Sequence, residues 1–261
     1  MKIAVLTLAL TGLLRADFEY ESRVEITGDG IHSATHYIKG SRMASVTKTH
    51  ATIVNLENDN VLEIDFSKKT YFSTTVSKIK PAVAEVAFDL SEKSDGSKNI
   101  GILTAREHLA AATGPPSLAR LFIDYWTITP PGAVEMQDFH RRMAAKLGYA
   151  YAFGLEEAGR IKPELFPAFE EAGKVLAESA EMPAEVTIRV GTADLAPLAP
   201  SQEKTGIAGR IGGIAHRGKH VLNEDEPGLL AEVTIHLDHF SAAPADDAKF
   251  GVPPGFKEIK K

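Results

Sequence analysis

Hydrophobic and polar residues alternate along the segment DFEYESRVEI at positions 17–26. The apolar residues of this segment share one side of an extended chain: Phe18, Tyr20, Val24 and Ile26. A period of two residues is typical of a β-strand with one buried side and one solvent-facing side. The segment therefore predicts an amphipathic strand over 17–26.

Five shorter strand-like segments follow, separated by polar or glycine-containing turns such as Gly28-Asp29-Gly30. Short strands joined by turns of this kind are typical of an antiparallel meander. The predicted strands of the meander cover 31–38, 42–48, 51–56, 61–66 and 70–76.

Helical periodicity predicts two helices in the middle of the chain, over 135–147 and 164–180. The apolar side of the first consists of Met136, Phe139, His140 and Met143. In the second helix Pro167 suits the first turn. The apolar side of the second consists of Leu165, Phe169, Ala172 and Leu176.

The hydrophobic pattern of the remaining segments is less regular. Residues 81–90 and 100–112 fit either a helix or a strand, and the polar stretch 91–99 predicts a loop. Segments rich in β-branched and apolar residues predict three more strands, over 119–129, 184–190 and 230–240.

A glycine- and proline-rich stretch at 193–228 separates the last two predicted strands, and we expect a mobile hairpin or loop. It contains GIAGRIGGIAHRGKH at 206–220, which superficially resembles a phosphate-binding loop. A Walker loop requires a closing Gly-Lys-Ser/Thr, and a dinucleotide-binding turn requires a strand before it and a helix after it. Because neither context is present, the segment is interpreted as a flexible loop with a basic patch.

An uncharged apolar run, IAVLTLALTGLL at 3–14, precedes the first predicted strand. Lys2 gives it a positive start, and Ala16 offers a small residue for cleavage before Asp17. The run is shorter than the roughly 20 apolar residues that a membrane-spanning helix needs, so it predicts a secretory signal peptide at 1–16. A buried first strand or helix is the alternative. The signal peptide predicts a periplasmic or secreted mature protein.

Charge and cysteine content limit the functions open to the mature chain. The full chain has 29 basic and 35 acidic residues, and removal of Lys2 and Arg15 leaves 27 basic residues and a net charge of −8. Such an acidic protein is poorly suited to nucleic acid or anionic lipid surfaces. The absence of cysteine excludes disulfides, thiolate metal ligands and a cysteine nucleophile. No later run of 18 apolar residues occurs, so no transmembrane segment is expected in the mature chain.

Three segments carry a distinctive order of strands, turns and Pro-Gly pairs. They are IVNLENDNVLEIDFSKKTYFSTTV at 53–76, IDYWTITPPGAVEMQDF at 123–139 and KFGVPPGFKEI at 249–259. Together they resemble a bacterial envelope family of unknown function, whose fold is similar to that of the periplasmic carrier of outer-membrane lipoproteins.

The resemblance implies an α+β fold that is mostly β. The expected architecture is a curved antiparallel sheet or unclosed half-barrel, with helices packed on its concave face and an apolar cavity between them. Residues 17–261 would form a single carrier-like domain, with the helical segment near 135–180 and the insertion near 193–228.

The nine histidines raise the question of a metal site. The candidate groupings are His32 with His36, His216 with His220, and His236 with Asp238. His239 is expected to point to the other side of its strand. No pair has the HExxH context of a zinc protease, and zinc needs three or four converging ligands. The histidines are therefore interpreted as solvated surface groups, and no metal or other cofactor is expected.

The chain also lacks the GxSxG nucleophile elbow of serine hydrolases. Glu135, which follows Pro-Gly, is interpreted as an acidic residue in the first turn of a helix rather than as a general base. No catalytic residue is predicted, and an enzyme is not expected.

The apolar side of the first strand is the preferred candidate for a ligand-binding surface. Helices that fill this side completely are an equally valid alternative, because pockets and cores have the same composition. The candidate cavity residues are Phe18, Tyr20, Val24, Ile26, Leu62, Ile64, Phe66 and Trp126.

The sequence thus predicts a non-catalytic exported binding module that buries part of a lipid or other apolar ligand between sheet and helices. The alternative is an envelope protein-interaction or structural module, which would bind a partner protein through a sheet edge or the 193–228 loop. A metal-dependent hydrolase is the least favoured function.

Overall fold

The computed structural model describes residues 17–79, 88–115, 118–197 and 226–260. The predicted signal peptide and residues 198–225 of the predicted insertion lie outside this part of the chain. The described strands form one 12-stranded sheet. They are β1 (Phe18–Ile26), β2 (Gly30–Lys39), β3 (Arg42–Val46), β4 (His50–Asn55), β5 (Asn60–Asp65), β6 (Thr70–Thr75), β7 (Asp89–Ile100), β8 (Leu103–Thr113), β9 (Arg120–Ile128), β10 (Met182–Gly191), β11 (Leu229–Ser241) and β12 (Lys257–Glu258).

The sheet joins two antiparallel meanders. Strands β1 to β6 follow one another towards one edge, and β11 back to β7 follow one another towards the other edge. Between the two meanders, β1 pairs antiparallel with β11. The short β12 pairs parallel with β6, so the sheet is mixed but mostly antiparallel. Strands β7 and β12 form its two edges, and the sheet is unclosed, which confirms the predicted fold class.

The alternation in β1 sets the two faces of the sheet. Val24 lies opposite Ile235 of β11, which in turn lies opposite Val186 of β10. Directly opposed residues of antiparallel strands share a face. These residues belong to one large buried cluster, so the apolar side of β1 belongs to a buried face that continues across β11 and β10.

Helices inserted between β9 and β10 pack on this face of the sheet, which we call the helix-covered face. As the periodicity predicted, Met136, Phe139, His140 and Met143 are all buried. The same holds for Leu165, Phe169, Ala172 and Leu176. These helices are α2 (Ala133–Leu147), α3 (Leu155–Ile161) and α4 (Phe166–Glu178), whereas the short α1 (Val76–Ile79) follows β6.

Two glycines allow the helical segment to approach its neighbours closely. Gly132, immediately before α2, has a φ of 85°, and a Cβ there would lie 2.5 Å from Phe18 Cδ2. In α4, a Cβ on Gly173 would lie 2.1 Å from the carbonyl oxygen of Tyr149. Real Cβ contacts do not reach such distances, so glycine is needed at both points of contact.

A second, smaller cluster lies on the opposite face of the meander. It contains Ala44, Ala51, Ile53 and Ile64 and is covered by Phe250 from the C-terminal segment. Arg42 of β3 makes two contacts with this segment. Its Nη2 lies 2.7 Å from Asp247 Oδ1, and its guanidinium carbon lies 4.7 Å from the centroid of the Phe250 ring.

Several features differ from the sequence predictions. The prediction of a polar loop at 91–99 is wrong, because these residues belong to β7. Among the described strands β7 pairs with β8 alone, and as an edge strand it leaves many side chains exposed, so it lacks the apolar pattern of an inner strand. The ambiguous segment 100–112 is largely strand β8, and α3 was not predicted. None of the described helices combines the length and apolar character needed to cross a bilayer.

Candidate functional site

The eight residues predicted to line one cavity are divided between the two faces of the sheet. Phe18, Tyr20, Val24 and Ile26 lie on the helix-covered face. On the opposite face, Ile64 belongs to the second cluster, with Leu62 and Phe66 packed against it. Trp126 lies opposite Glu185, which lies opposite His236, and these two pairings place it on the face away from Val24. A single cavity therefore cannot contain all eight side chains.

Polypeptide fills the space above β1. All four of its candidate side chains are at most 3% exposed. The position of Gly132 against Phe18 shows contact at one end of the strand, and a Cβ on Gly154 would lie 3.0 Å from Val24 Cγ2 near the other end. At β1, the filled-core alternative describes the helix-covered face better than an open cavity.

A buried polar cluster interrupts this core, and we call it the histidine cluster: Tyr20, Ser22, His36 and His140. The Tyr20 hydroxyl lies 3.0 Å from His140 Nε2, and Ser22 Oγ lies 2.7 Å from His36 Nε2. The rings of Tyr20 and His36 stack at a centroid distance of 4.5 Å. The interpretation of the histidines as solvated surface groups is wrong for His36 and His140, because both are buried.

Burial controls the charge of these groups. It lowers the pKa of His36 to about 4, and burial with the nearby charge of His36 lowers the pKa of His140 to about 3. Burial, assisted by the charge of Glu156, raises the pKa of Tyr20 well above its usual value. Near neutral pH the cluster is uncharged, so it joins helices to sheet as a hydrogen-bonded core and offers no cationic site.

An open cavity of about 420 Å³ lies elsewhere on the helix-covered face, between the outer strands and the end of α4. We call it the α4 cavity. Its sheet wall is formed by Leu90 and Glu92 of β7, His108 of β8 and Tyr125 of β9. Register explains their convergence, since His108 lies opposite Tyr125, and Glu92 lies opposite Ala110 two residues further along β8.

The helix wall of the α4 cavity uses one side of α4. Glu171, Lys174, Val175 and Glu178 follow the spacing i, i+3, i+4 and i+7, which places residues on the same helical face. Ser179 and Ala180, just beyond the helix, complete this wall. The cavity is thus lined by charged side chains together with apolar surface from Leu90, Val175 and Ala180.

Glu92 is held in the α4 cavity by two neighbouring side chains. The Tyr125 hydroxyl donates to Glu92 Oε1 at 2.5 Å, and His108 Nδ1 lies 3.5 Å from the same oxygen. The rings of His108 and Tyr125 stack at a centroid distance of 4.8 Å. Burial, together with the hydrogen bond to Glu92, raises the pKa of Tyr125. Tyr125 is therefore held as a neutral hydrogen-bond donor.

His108 continues this series of hydrogen-bonded side chains into the core. His108 Nε2 lies 3.1 Å from Thr127 Oγ1, which donates to Glu181 Oε2 at 2.7 Å. Glu92, His108 and Thr127 thus have the order of an acid, a base and a hydroxyl nucleophile. However, Thr127 is 0% exposed and its proton is directed to Glu181, so a substrate has no access to that oxygen. This geometry holds side chains in place and does not activate a nucleophile.

The described residues contain one grouping with metal-ligand composition: Glu21, Asp238 and His239, whose ligand atoms lie within 4.8 Å of one another. His239 has a φ of 53°. Its Nδ1 lies 2.9 Å from Asp238 Oδ1 and 3.0 Å from Glu21 Oε2. The prediction that His239 points away from Asp238 is wrong, because the backbone departs from regular strand geometry there. The arrangement is an exposed ion-pair cluster. His216 and His220 lie outside the described residues.

The described ends of the predicted insertion are fixed by a buried arginine. Arg189 of β10 forms ion pairs with Glu226 and with Glu232, and its Nη1 donates to the carbonyl oxygen of Ala196 at 3.2 Å. Both Arg189 and Glu232 are buried. These contacts hold the two chain segments that flank residues 198–225 against the sheet.

Sequence reasoning missed the α4 cavity. Glu92 was assigned to a loop, and His108 lay in a segment of ambiguous structure. The spacing of Glu171, Lys174, Val175 and Glu178 was visible in the predicted helix, but it could not indicate which strand the helix would face. The chain matches no protein family model, and no curated protein is detectably similar to it.

Proposed function

We propose that this protein is a non-catalytic binding module that holds part of an apolar ligand in the α4 cavity. The observation that carries the proposal is the cavity itself, which lies between sheet and helix with Leu90, Val175 and Ala180 on its walls. Its volume of about 420 Å³ falls within the range of about 300–1,000 Å³ typical of small-molecule sites.

Accessibility supports the same proposal. Leu90 is 40% exposed although it belongs to the helix-covered face of the sheet, where it lines the α4 cavity. A ligand could cover this side chain without displacing the helices from the rest of the sheet. In contrast, binding above β1 would require removal of the packed helical segment.

The proposal is tested by titration with an uncharged fluorescent dye whose emission reports an apolar environment. The native protein should bind one dye saturably. Ala180→Trp fills the cavity from an exposed position and should weaken binding at least tenfold. Ala248→Trp, at an exposed position in the C-terminal segment, is the matched control and should bind as the native protein does. Absence of saturable binding by the native protein would contradict the proposal.

A second candidate function is recognition of a partner protein by addition of a strand to the sheet. The observation that favours it is β7, a strand of 12 residues that pairs, among the described strands, with β8 alone. Unpaired backbone groups at a sheet edge can accept an additional strand. Proline at a position of β7 outside the cavity wall, where the N–H points away from β8, would remove a backbone donor from this edge, so it should abolish complex formation while leaving dye binding unchanged.

A further inference from the structure

From the charges around the α4 cavity we infer that its ligand carries an amine, bound as an ammonium group by Glu92 with the apolar part against Leu90 and Val175. The inference rests on the proposed function, because it assigns the chemistry of the ligand's polar end to the same cavity. Three observations support it.

The first observation is the balance of charged side chains. Glu92, Glu171 and Glu178 line the cavity, and Lys174 is the one lysine or arginine among its described lining residues. Lys174 lies three residues after Glu171 and four before Glu178, at spacings where opposite charges attract on a helix. The positive charge of Lys174 is thus offset by two glutamates of its own helix, whereas Glu92 lies on the sheet wall of the cavity.

The second observation is the fixed orientation of Glu92. Its Oε1 accepts a hydrogen bond from Tyr125 and lies near His108, while its side chain is 45% exposed. An ionised carboxylate has about four acceptor positions, so one bond to Tyr125 leaves capacity for another donor. A carboxylate that is already oriented loses less side-chain entropy when an ammonium group binds.

The third observation is the surroundings of this carboxylate. Tyr125, which is 2% exposed, forms the cavity wall next to Glu92. Leu90 lies two residues from Glu92 on the same face of β7, so an apolar group attached to the amine would meet an apolar side chain. An anionic head in this position would instead face three carboxylates.

The experiment compares three probes with the same eight-carbon chain: octylammonium, octanol and octanoate. Calorimetric titration of the full chain at pH 7 and low salt should show octylammonium binding at least tenfold more tightly than octanol, and octanoate more weakly than either. Glu92→Gln should remove most of the preference for octylammonium over octanol. Glu57→Gln, at an exposed turn between β4 and β5, is the matched control and should preserve the preference.

The outcomes separate the two proposals. Equal binding of the three probes, or a preference for octanoate, would overturn the amine assignment and leave the apolar binding function intact. Failure of all three probes to bind, together with absence of dye binding, would overturn both. Preference for octylammonium that survives in Glu92→Gln would overturn the role of Glu92. Because its side chain is half exposed, this variant should fold, and its thermal unfolding serves as the check.

Discussion

The Tyr20 hydroxyl and His140 Nε2 are 3.0 Å apart, although the two residues are separated by 120 positions in the sequence. Tyr20 lies on β1 and His140 on α2, so this contact joins the central strand of the sheet to the first long helix. The other ring nitrogen, His140 Nδ1, is buried with no hydrogen-bond partner in the described structure. The contact with Tyr20 is therefore the one side-chain hydrogen bond that the His140 ring makes among the described residues.

Tyr20→Phe should lower the free energy of unfolding by about 1–3 kcal/mol, because it leaves a buried ring nitrogen without its partner. Urea unfolding followed by circular dichroism measures the change. Tyr71→Phe, at a half-buried position on β6, is the matched control and should stay within about 0.5 kcal/mol of the native value. Equal effects of the two substitutions would show that the hydroxyl of Tyr20 contributes nothing specific.

The lowered pKa values of the histidine cluster predict loss of stability in acid. An unfolded histidine takes up a proton near pH 6.5, whereas folded His36 and His140 do so only near pH 4 and pH 3. Between these limits the unfolded state binds more protons, so the free energy of unfolding falls as the pH decreases. His140→Gln should show a shallower decrease from pH 6.5 to pH 4 in urea titrations. His50→Gln, at an exposed site, should retain the native slope.

Glu156 should contribute in the opposite direction. Burial raises its pKa to about 7, and its Oε2 atom is buried with no hydrogen-bond partner among the described residues. The folded state therefore keeps a proton that the unfolded state releases above about pH 4.5, and this stabilisation is lost as the pH rises through 7. Glu156→Gln should raise the melting temperature at pH 8 relative to the native protein more than at pH 5. An equal shift at both pH values would contradict the assignment.

The buried ion pair of Arg189 predicts a third kind of response. Arg189→Met should cost about 3–5 kcal/mol of unfolding free energy, because Glu232 would keep a buried charge without its arginine. In the double variant with Glu232→Leu, most of this loss should be recovered. Chemical unfolding of the two single variants and the double variant measures the coupling, and additive effects would exclude a specific pair.

The first meander and the two long helices could be predicted because their burial is one-sided. In β1, the alternation seen in the sequence is the alternation of buried residues in the structure. The side of α2 that contains Met136 and Phe139 is likewise buried as its spacing predicted. Strand β7 could not be predicted in this way, because its pairing uses backbone groups while its side chains are largely polar.

The location of the α4 cavity could not be predicted from the periodicity of the sequence. Periodicity shows which residues of a strand share a face, but not which of two faces in a curved sheet the helices will cover. Leu62 and Val24 are both apolar and both on strands, yet only the pairing register places them on opposite sides. Similarly, the contact between Glu92 and Tyr125 spans 33 residues and depends on the pairing of three strands.

The pairing of β1 with β11 has a consequence for how the chain can fold during synthesis. The ribosome produces β1 to β6 long before β11, so the early half-sheet has an open β1 edge and an apolar face without helices. Open edges of this kind can pair with other chains. The nascent protein therefore remains open to aggregation or to chaperone binding until β11 leaves the ribosome and joins the two halves.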